Sequence, residues 1–97
     1  MTRRPAPDHA IYGISVAAEL TGCTPETLRL YERRDLIKPA RTDGGTRRYT
    51  DDDITRIRRI AELSAAGINL TGIGHILDLE TENTHLRREL GQRRGRR

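Results

Sequence analysis

Gly22 and Pro25 stand three positions apart in the run Leu20-Thr21-Gly22-Cys23-Thr24-Pro25, and together they dictate a sharp change of direction between two helices. Gly22 suits the left-handed position that closes a helix, Thr24 suits the N-cap, and Pro25 suits the first helical position, where its missing N–H costs nothing. Upstream, SVAAELTG starts at Ser15, a good N-cap, and carries Val16, Ala17 and Leu20, which predicts a helix of about two turns. Downstream, TPETLRLYERR reads as a second helix, with Leu28, Leu30 and Tyr31 available to the first helix or to the following segment. Two short helices joined so tightly pack at a steep angle and push the second one outward, which is the helix-turn-helix arrangement.

What surrounds this motif is small. The chain has 97 residues with no Phe, no Trp and three Tyr, and Leu, Ile and Val together make up only 20 of them. That is enough for one thin-cored domain and excludes a two-domain enzyme. A domain of this size is expected to cover part of its apolar surface with a partner, most simply a second copy. Cys23 is the single cysteine, so no intrachain disulfide forms, and no stretch approaches the ~20 apolar residues of a membrane span. A soluble cytoplasmic protein is expected.

After the second helix, LIKPARTDGGTRRYT predicts a hairpin that pairs Leu36–Lys38 with Thr46–Tyr49 across Asp43-Gly44-Gly45. Thr50 and Asp53 form a capping-box pattern that starts a third helix, in which Ile54, Ile57, Ile60, Ala61 and Ser64 share the inner face, Arg56 and Arg59 project elsewhere, and Gly67 gives the stop. Asn69 caps a fourth helix, with Ile68 and Ile73 placed as a hydrophobic staple. From there Ile76, Leu79, Asn83, Leu86 and Leu90 follow the 3-4-3-4 spacing of a coiled-coil seam two heptads long. Two heptads do not stand alone, so the seam is expected to pack on a second copy, with polar Asn83 selecting the register. The fold class is therefore all-α with a small β-hairpin wing. Residues 1–10 form a tail, 11–67 a winged helix-turn-helix, 68–90 a helical dimerisation segment and 91–97 a basic tail, and both tails are expected to be disordered.

The formal charge of +4 is uneven. Residues 29–48 hold seven basic side chains against three acidic ones, while 49–90 hold five against eight. A patch of one sign beside a body of the other orients a polyanion on one surface. On the second helix Arg29 and Arg33 lie on one polar stripe with Glu26, and the hairpin arms carry Lys38, Arg41, Arg47 and Arg48. Arginine is the commonest side chain for reading guanine in the major groove, and a basic hairpin beside a reading helix supplies phosphate contacts that fix its register. Arginines on an exposed helix are also ordinary solvated residues, so the stripe alone does not decide the matter.

The run TPETLRLYERRDLIKPARTDGGTRRYTDDDI resembles the DNA-binding domain of the MerR family of bacterial regulators, and ISVAAEL, GGTRRY and GINLTGIGHILDLE are most similar to its heat-shock repressor branch, which controls chaperone genes. The likeness covers about residues 11–80. It implies a dimeric repressor on an inverted-repeat operator in double-stranded DNA, with a chaperone as a co-repressor the branch allows. It places Thr24, Thr27, Arg29 and Tyr31 on or beside the groove-facing helix, with Arg29 as base reader. It places Arg47, Arg48 and Tyr49 in the wing, with the Tyr49 hydroxyl on a phosphate. Tyr31 and Tyr49 are equally suited to core filling in a chain without Phe or Trp. Asp35 departs from the family pattern, which has Gly after the reading helix.

No cofactor is expected. Metal sensing, the family's best-known activity, needs neighbouring thiolates, whereas Cys23 stands alone and His75 and His85 are ten apart rather than at i, i+4. Beyond the seam only GQRRGRR follows, too little for an effector pocket, and no nucleophile–base pair or phosphate-cradling loop suggests an enzyme. Two other readings remain: an excisionase-like architectural protein that bends DNA, against which the seam argues, and an adaptor whose last helix binds a chaperone while DNA contact is secondary.

Overall fold

The computed structural model describes residues 9–95; residues 1–8 and 96–97, which include most of the expected N-terminal tail and the end of the basic one, lie outside the described residues. The elements run α1 (Ile14–Thr21), α2 (Pro25–Arg33), β1 (Ala40–Arg41), β2 (Arg47–Arg48), α3 (Asp51–Ala65) and α4 (Leu70–Gly95). The mostly helical architecture with one antiparallel hairpin is the expected one. One core joins α1, α2, α3 and the start of α4 through Ala17, Ala18, Leu28, Tyr31, Leu36, Ile37, Tyr49, Ile54, Ile57, Ile60, Leu63, Ile73 and Leu77.

Helix ends follow local chemistry. The Thr24 side chain accepts from the Thr27 amide, and Pro25 opens α2. Thr50 and Asp53 bond each other's backbone N–H in a full capping box, and Asn69 accepts from the Gly72 amide at 2.8 Å. At the other ends, α1 closes with Cys23 N–H to Ala18 O and Gly22 N–H to Glu19 O, the Schellman pattern, around Gly22 at φ 71°. α2 closes in the same way, with Leu36 N–H to Tyr31 O and Asp35 N–H to Glu32 O, but its left-handed residue is Asp35 at φ 58°. This closure carries the chain back so that Leu36 joins Tyr31 in the core.

Five details correct the sequence reading. Ser15 does not cap α1: the cap lies two residues earlier, at Gly13, and the helix starts at Ile14, because the Tyr12–Tyr49 backbone bridge, with Tyr49 N–H to Tyr12 O at 2.7 Å, fixes the chain immediately before it. The Leu36–Lys38 run is no strand, since Leu36 and Ile37 are buried in the core; the hairpin pairs Ala40 with Arg48 and Arg41 with Arg47, and Tyr49 pairs with Tyr12 instead. Leu63, not Ser64, completes the inner face of α3. Arg56 and Arg59 do not simply project but brace neighbouring segments. Finally, α4 continues through residues 91–95, which were expected to lie in a tail.

At 26 residues α4 is ~39 Å long. Ile73 and Leu77 anchor its first turns, and every residue from Asp78 to Gly95 is exposed. Leu79, Leu86 and Leu90 stand 64%, 54% and 49% exposed along one stripe with Asn83, uncovered by any other element among the described residues.

Asp35 holds a conformation that costs an L-residue with a Cβ about 1–2 kcal/mol and that Gly adopts freely, although Gly has more chain entropy to lose. Asp35→Gly is expected to raise stability by about 0.5–1 kcal/mol, read as a higher urea midpoint at unchanged slope, whereas Asp35→Val should lower it.

Candidate nucleic-acid interface

The wing is a short ladder closed by a tight turn. Thr42 N–H donates to Thr46 O, Gly45 N–H donates to Thr42 O, and Gly45 lies at φ 84°, the left-handed residue of a three-residue hairpin loop. With two residues per strand and a fully exposed tip, this hairpin has little apolar packing of its own.

A carboxylate of α2 supplies its anchorage. Glu32 Oε1 accepts from Arg47 Nε at 2.6 Å and Oε2 accepts from Arg41 Nη2 at 3.0 Å. Arg41 Nη1 in turn donates to Gly45 O at 3.1 Å. Burial pushes the Glu32 carboxyl up, but the hydrogen bonds from Arg47 and Arg41, helped by their charges, outweigh it and hold the group below its ordinary range.

The basic side chains thus divide into two sets. Arg41 and Arg47, expected on phosphates, are tied to Glu32, with Arg47 engaged through Nε only. On α3, Arg58 donates to Leu20 O at the end of α1, Arg56 donates to Leu36 O just past α2, and Arg59 bridges Glu62 and Glu80. By contrast, Arg29, Arg33, Arg34, Lys38 and Arg48 make no side-chain hydrogen bond or ion pair among the described residues. Arg29 and Arg33 are exposed on α2, Lys38 is exposed on the link between α2 and the wing, and Arg48 is half-buried on β2 beside Gly13, where a Cβ would come within 3.1 Å of its Nη1. Four of the cations singled out in the sequence therefore carry no internal partner among the described residues: Arg29 and Arg33 on α2, Lys38 on the link and Arg48 on the wing, which Glu32 ties to α2.

The threonines and tyrosines divide as well. Thr24 is exposed and Thr27 half-exposed at the start of α2, their hydroxyls 2.9 Å apart. Tyr31 is buried, with burial raising its pKa, so the ring is core rather than groove surface. Tyr49 is fully buried and its hydroxyl has neither exposed surface nor a hydrogen-bond partner among the described residues, which overturns its expected phosphate contact. Its backbone bridges Tyr12 and its side chain belongs to the buried core. Among the described residues no group of three or more His, Cys, Asp or Glu side chains is placed to hold a metal. Cys23 is half-buried, and its thiol lies 3.9 Å from Thr21 O. Glu32 escaped the sequence reading; an acidic residue inside the basic run 29–48 was the available signal.

Removing a buried hydroxyl that has no partner relieves a desolvation cost. Tyr49→Phe is expected to leave stability unchanged or raise it by up to about 1 kcal/mol and to leave DNA affinity unchanged; a fall in affinity at intact fold would restore the phosphate role. A carboxyl depressed in the folded state contributes stability that is complete above its unfolded pKa and lost as pH falls through the folded one. Carbon-13 titration of Glu32 should accordingly give a midpoint below the ordinary 4.5, and the wing should loosen only in more acidic solution.

Comparison with known proteins agrees with this geometry. The model of the MerR HTH family regulatory protein matches residues 12–80. A candidate heat shock protein HspR of Streptomyces coelicolor is 48% identical over 80 residues, 81% of this chain and 53% of that relative, so the chain spans about half its length. Among solved structures, HiNmlR, described as a MerR family regulator lacking the sensor domain and bound to promoter DNA, aligns with a TM-score of 0.68 at 27% identity, covering 84% of this chain and 65% of that one. The N-terminal part of the Bacillus subtilis multidrug transporter activator MtaN aligns with a TM-score of 0.65 at 28% identity, covering 84% of this chain and 86% of that one. With the winged helix-turn-helix, the free cations of α2 and the family match in agreement, the chain belongs to the MerR family of DNA-binding transcriptional regulators.

Proposed function

We propose that this regulator acts in the cytoplasm as a homodimeric repressor of stress and chaperone genes, reading an inverted-repeat operator with one α2 per half-site. The observation that carries this reading is the pairing, in one chain, of free cations on α2 and the wing with an unpartnered apolar seam on α4. Arg29 is the base reader and Arg33 its neighbour on the stripe, with Thr24 and Thr27 at the groove-facing start of the helix; Lys38 and Arg48 grip phosphates on either side. The promoter-bound HiNmlR supports a duplex as the ligand, and the HspR likeness supports the stress branch, in which a chaperone is the natural co-repressor.

The seam supports a two-fold dimer. Burying Leu79, Leu86 and Leu90 against a second α4 removes from water the most exposed large apolar side chains among the described residues. Asn83 lies midway between Ile76 and Leu90, so an antiparallel pairing sets Asn83 against its own copy, where a mismatch of register would leave it facing leucine. Such symmetry presents two identical reading helices and selects a pseudo-palindromic site.

Sedimentation at micromolar concentration should give a dimer for the native chain and a monomer for Leu86→Glu, and a monomeric native chain defeats the proposal. On a duplex selected by the native chain from a random library, Arg29→Ala should cost about 1–3 kcal/mol and relax base preference. Arg48→Ala should weaken selected and scrambled duplexes alike and lower the salt slope by about 1. A mobility shift of that selected duplex, with and without added chaperone, tests the co-repressor.

A further inference from the structure

Glu32 sits on the reading helix, inside a surface that has to meet a polyanion, where Coulomb's law makes a carboxylate unfavourable. Its geometry gives it a different task. Arg41 and Arg47 are direct partners across the two-stranded ladder, and Glu32 takes one with each oxygen, so a single carboxylate spans a full rung of the wing. Arg41 extends the contact to Gly45 O at the turn. Among the described residues this is the only side-chain hydrogen bonding between α2 and the wing.

We propose that Glu32 is a positioning residue that sets the distance and angle between wing and reading helix, and thereby the discrimination between DNA sequences; the inference rests on the DNA-binding role proposed above. Phosphate contacts made by the wing carry no sequence information themselves but fix where α2 lies in the groove. A wing released from Glu32 still attracts phosphates, and more strongly, because Arg41 and Arg47 lose their internal partner. What it loses is a fixed relation to α2. Removing Glu32 should therefore move non-specific and specific binding in opposite directions, a pattern that simple destabilisation does not produce.

The experiment uses the full chain, a duplex selected by that chain from a random library, and a scrambled duplex of equal length. Native protein, Glu32→Ala and Glu32→Asp are titrated over a series of salt concentrations, with circular dichroism melts confirming a folded state. For Glu32→Ala the ratio of selected to scrambled affinity is expected to fall about tenfold, comparable to one mismatched base pair. Its affinity for the scrambled duplex should rise, with a salt slope steeper by about 1 for each arginine set free. Glu32→Asp keeps the charge but is one methylene too short to span both arginines, and it should lose discrimination as well. An unchanged ratio in Glu32→Ala, or full retention of the ratio by Glu32→Asp, overturns the proposal while leaving the DNA-binding role intact. Failure of the native chain to enrich any sequence overturns both.

Discussion

The core of this molecule is made of aliphatic side chains and two tyrosines, which provide area but little direction, so the angles between its helices depend on guanidinium–carbonyl hydrogen bonds. Arg58 of α3 donates twice to Leu20 O, a carbonyl in the last turn of α1 that has no partner within its own helix. Arg56, two residues earlier, donates to Leu36 O immediately past the end of α2. Both cations also sit where the negative ends of helix dipoles favour them. Helix α3 thus serves as a strut that orients the two helices of the DNA-binding motif, with the buried row Ile54, Ile57, Ile60 and Leu63 behind it.

The same strut directs α4. Arg59 reaches Glu80 at 2.8 Å and Glu62 at 2.9 Å, a bridge between the DNA-binding body and the helix that carries the seam. The hydrogen bond to Glu80 raises the Arg59 pKa and lowers that of Glu80. The three side chains are exposed, so salt screens the bridge and it directs more than it stabilises. Ile73 and Leu77 supply the burial; the bridge selects the angle at which the exposed stretch leaves. In a two-fold assembly that angle would set the separation of the two reading helices.

Much of this was legible in the sequence because its signals are local. Thr24 with Pro25, Thr50 with Asp53, Asn69 and Gly22 each act on backbone groups within a turn of themselves, and all four do in the structure what their residue types suggest. The failures arose where distant chain intervenes. Leu36 and Ile37 look like strand residues because buried and strand-forming side chains share a chemistry, and only the closure at Asp35 decides between them. Ser15 lost its capping role to Gly13, because Tyr49, far along the chain, fixes Tyr12 just before the helix. Glu32 meets Arg41 and Arg47 at separations of nine and fifteen residues, so no local pattern distinguishes these arginines from Arg29 or Arg48.

That distinction changes how charge in this chain relates to recognition. Counting basic residues in 29–48 treats seven cations as equivalent, but the fold commits Arg41 and Arg47 to its own construction and leaves Arg29, Arg33 and Lys38 on its surface. A surface holding all its cations free would bind any duplex tightly, since the phosphate backbone dominates affinity and is the same everywhere. Pairing two of them with one internal carboxylate, which cancels one of their two charges, would lower that indiscriminate attraction, and the same contacts tie the wing to α2. On the proposed DNA-binding role, loss of affinity for the wrong sequence and gain of geometric definition for the right one would both follow from a single carboxylate, so an acidic residue is physically consistent with a helix that meets DNA.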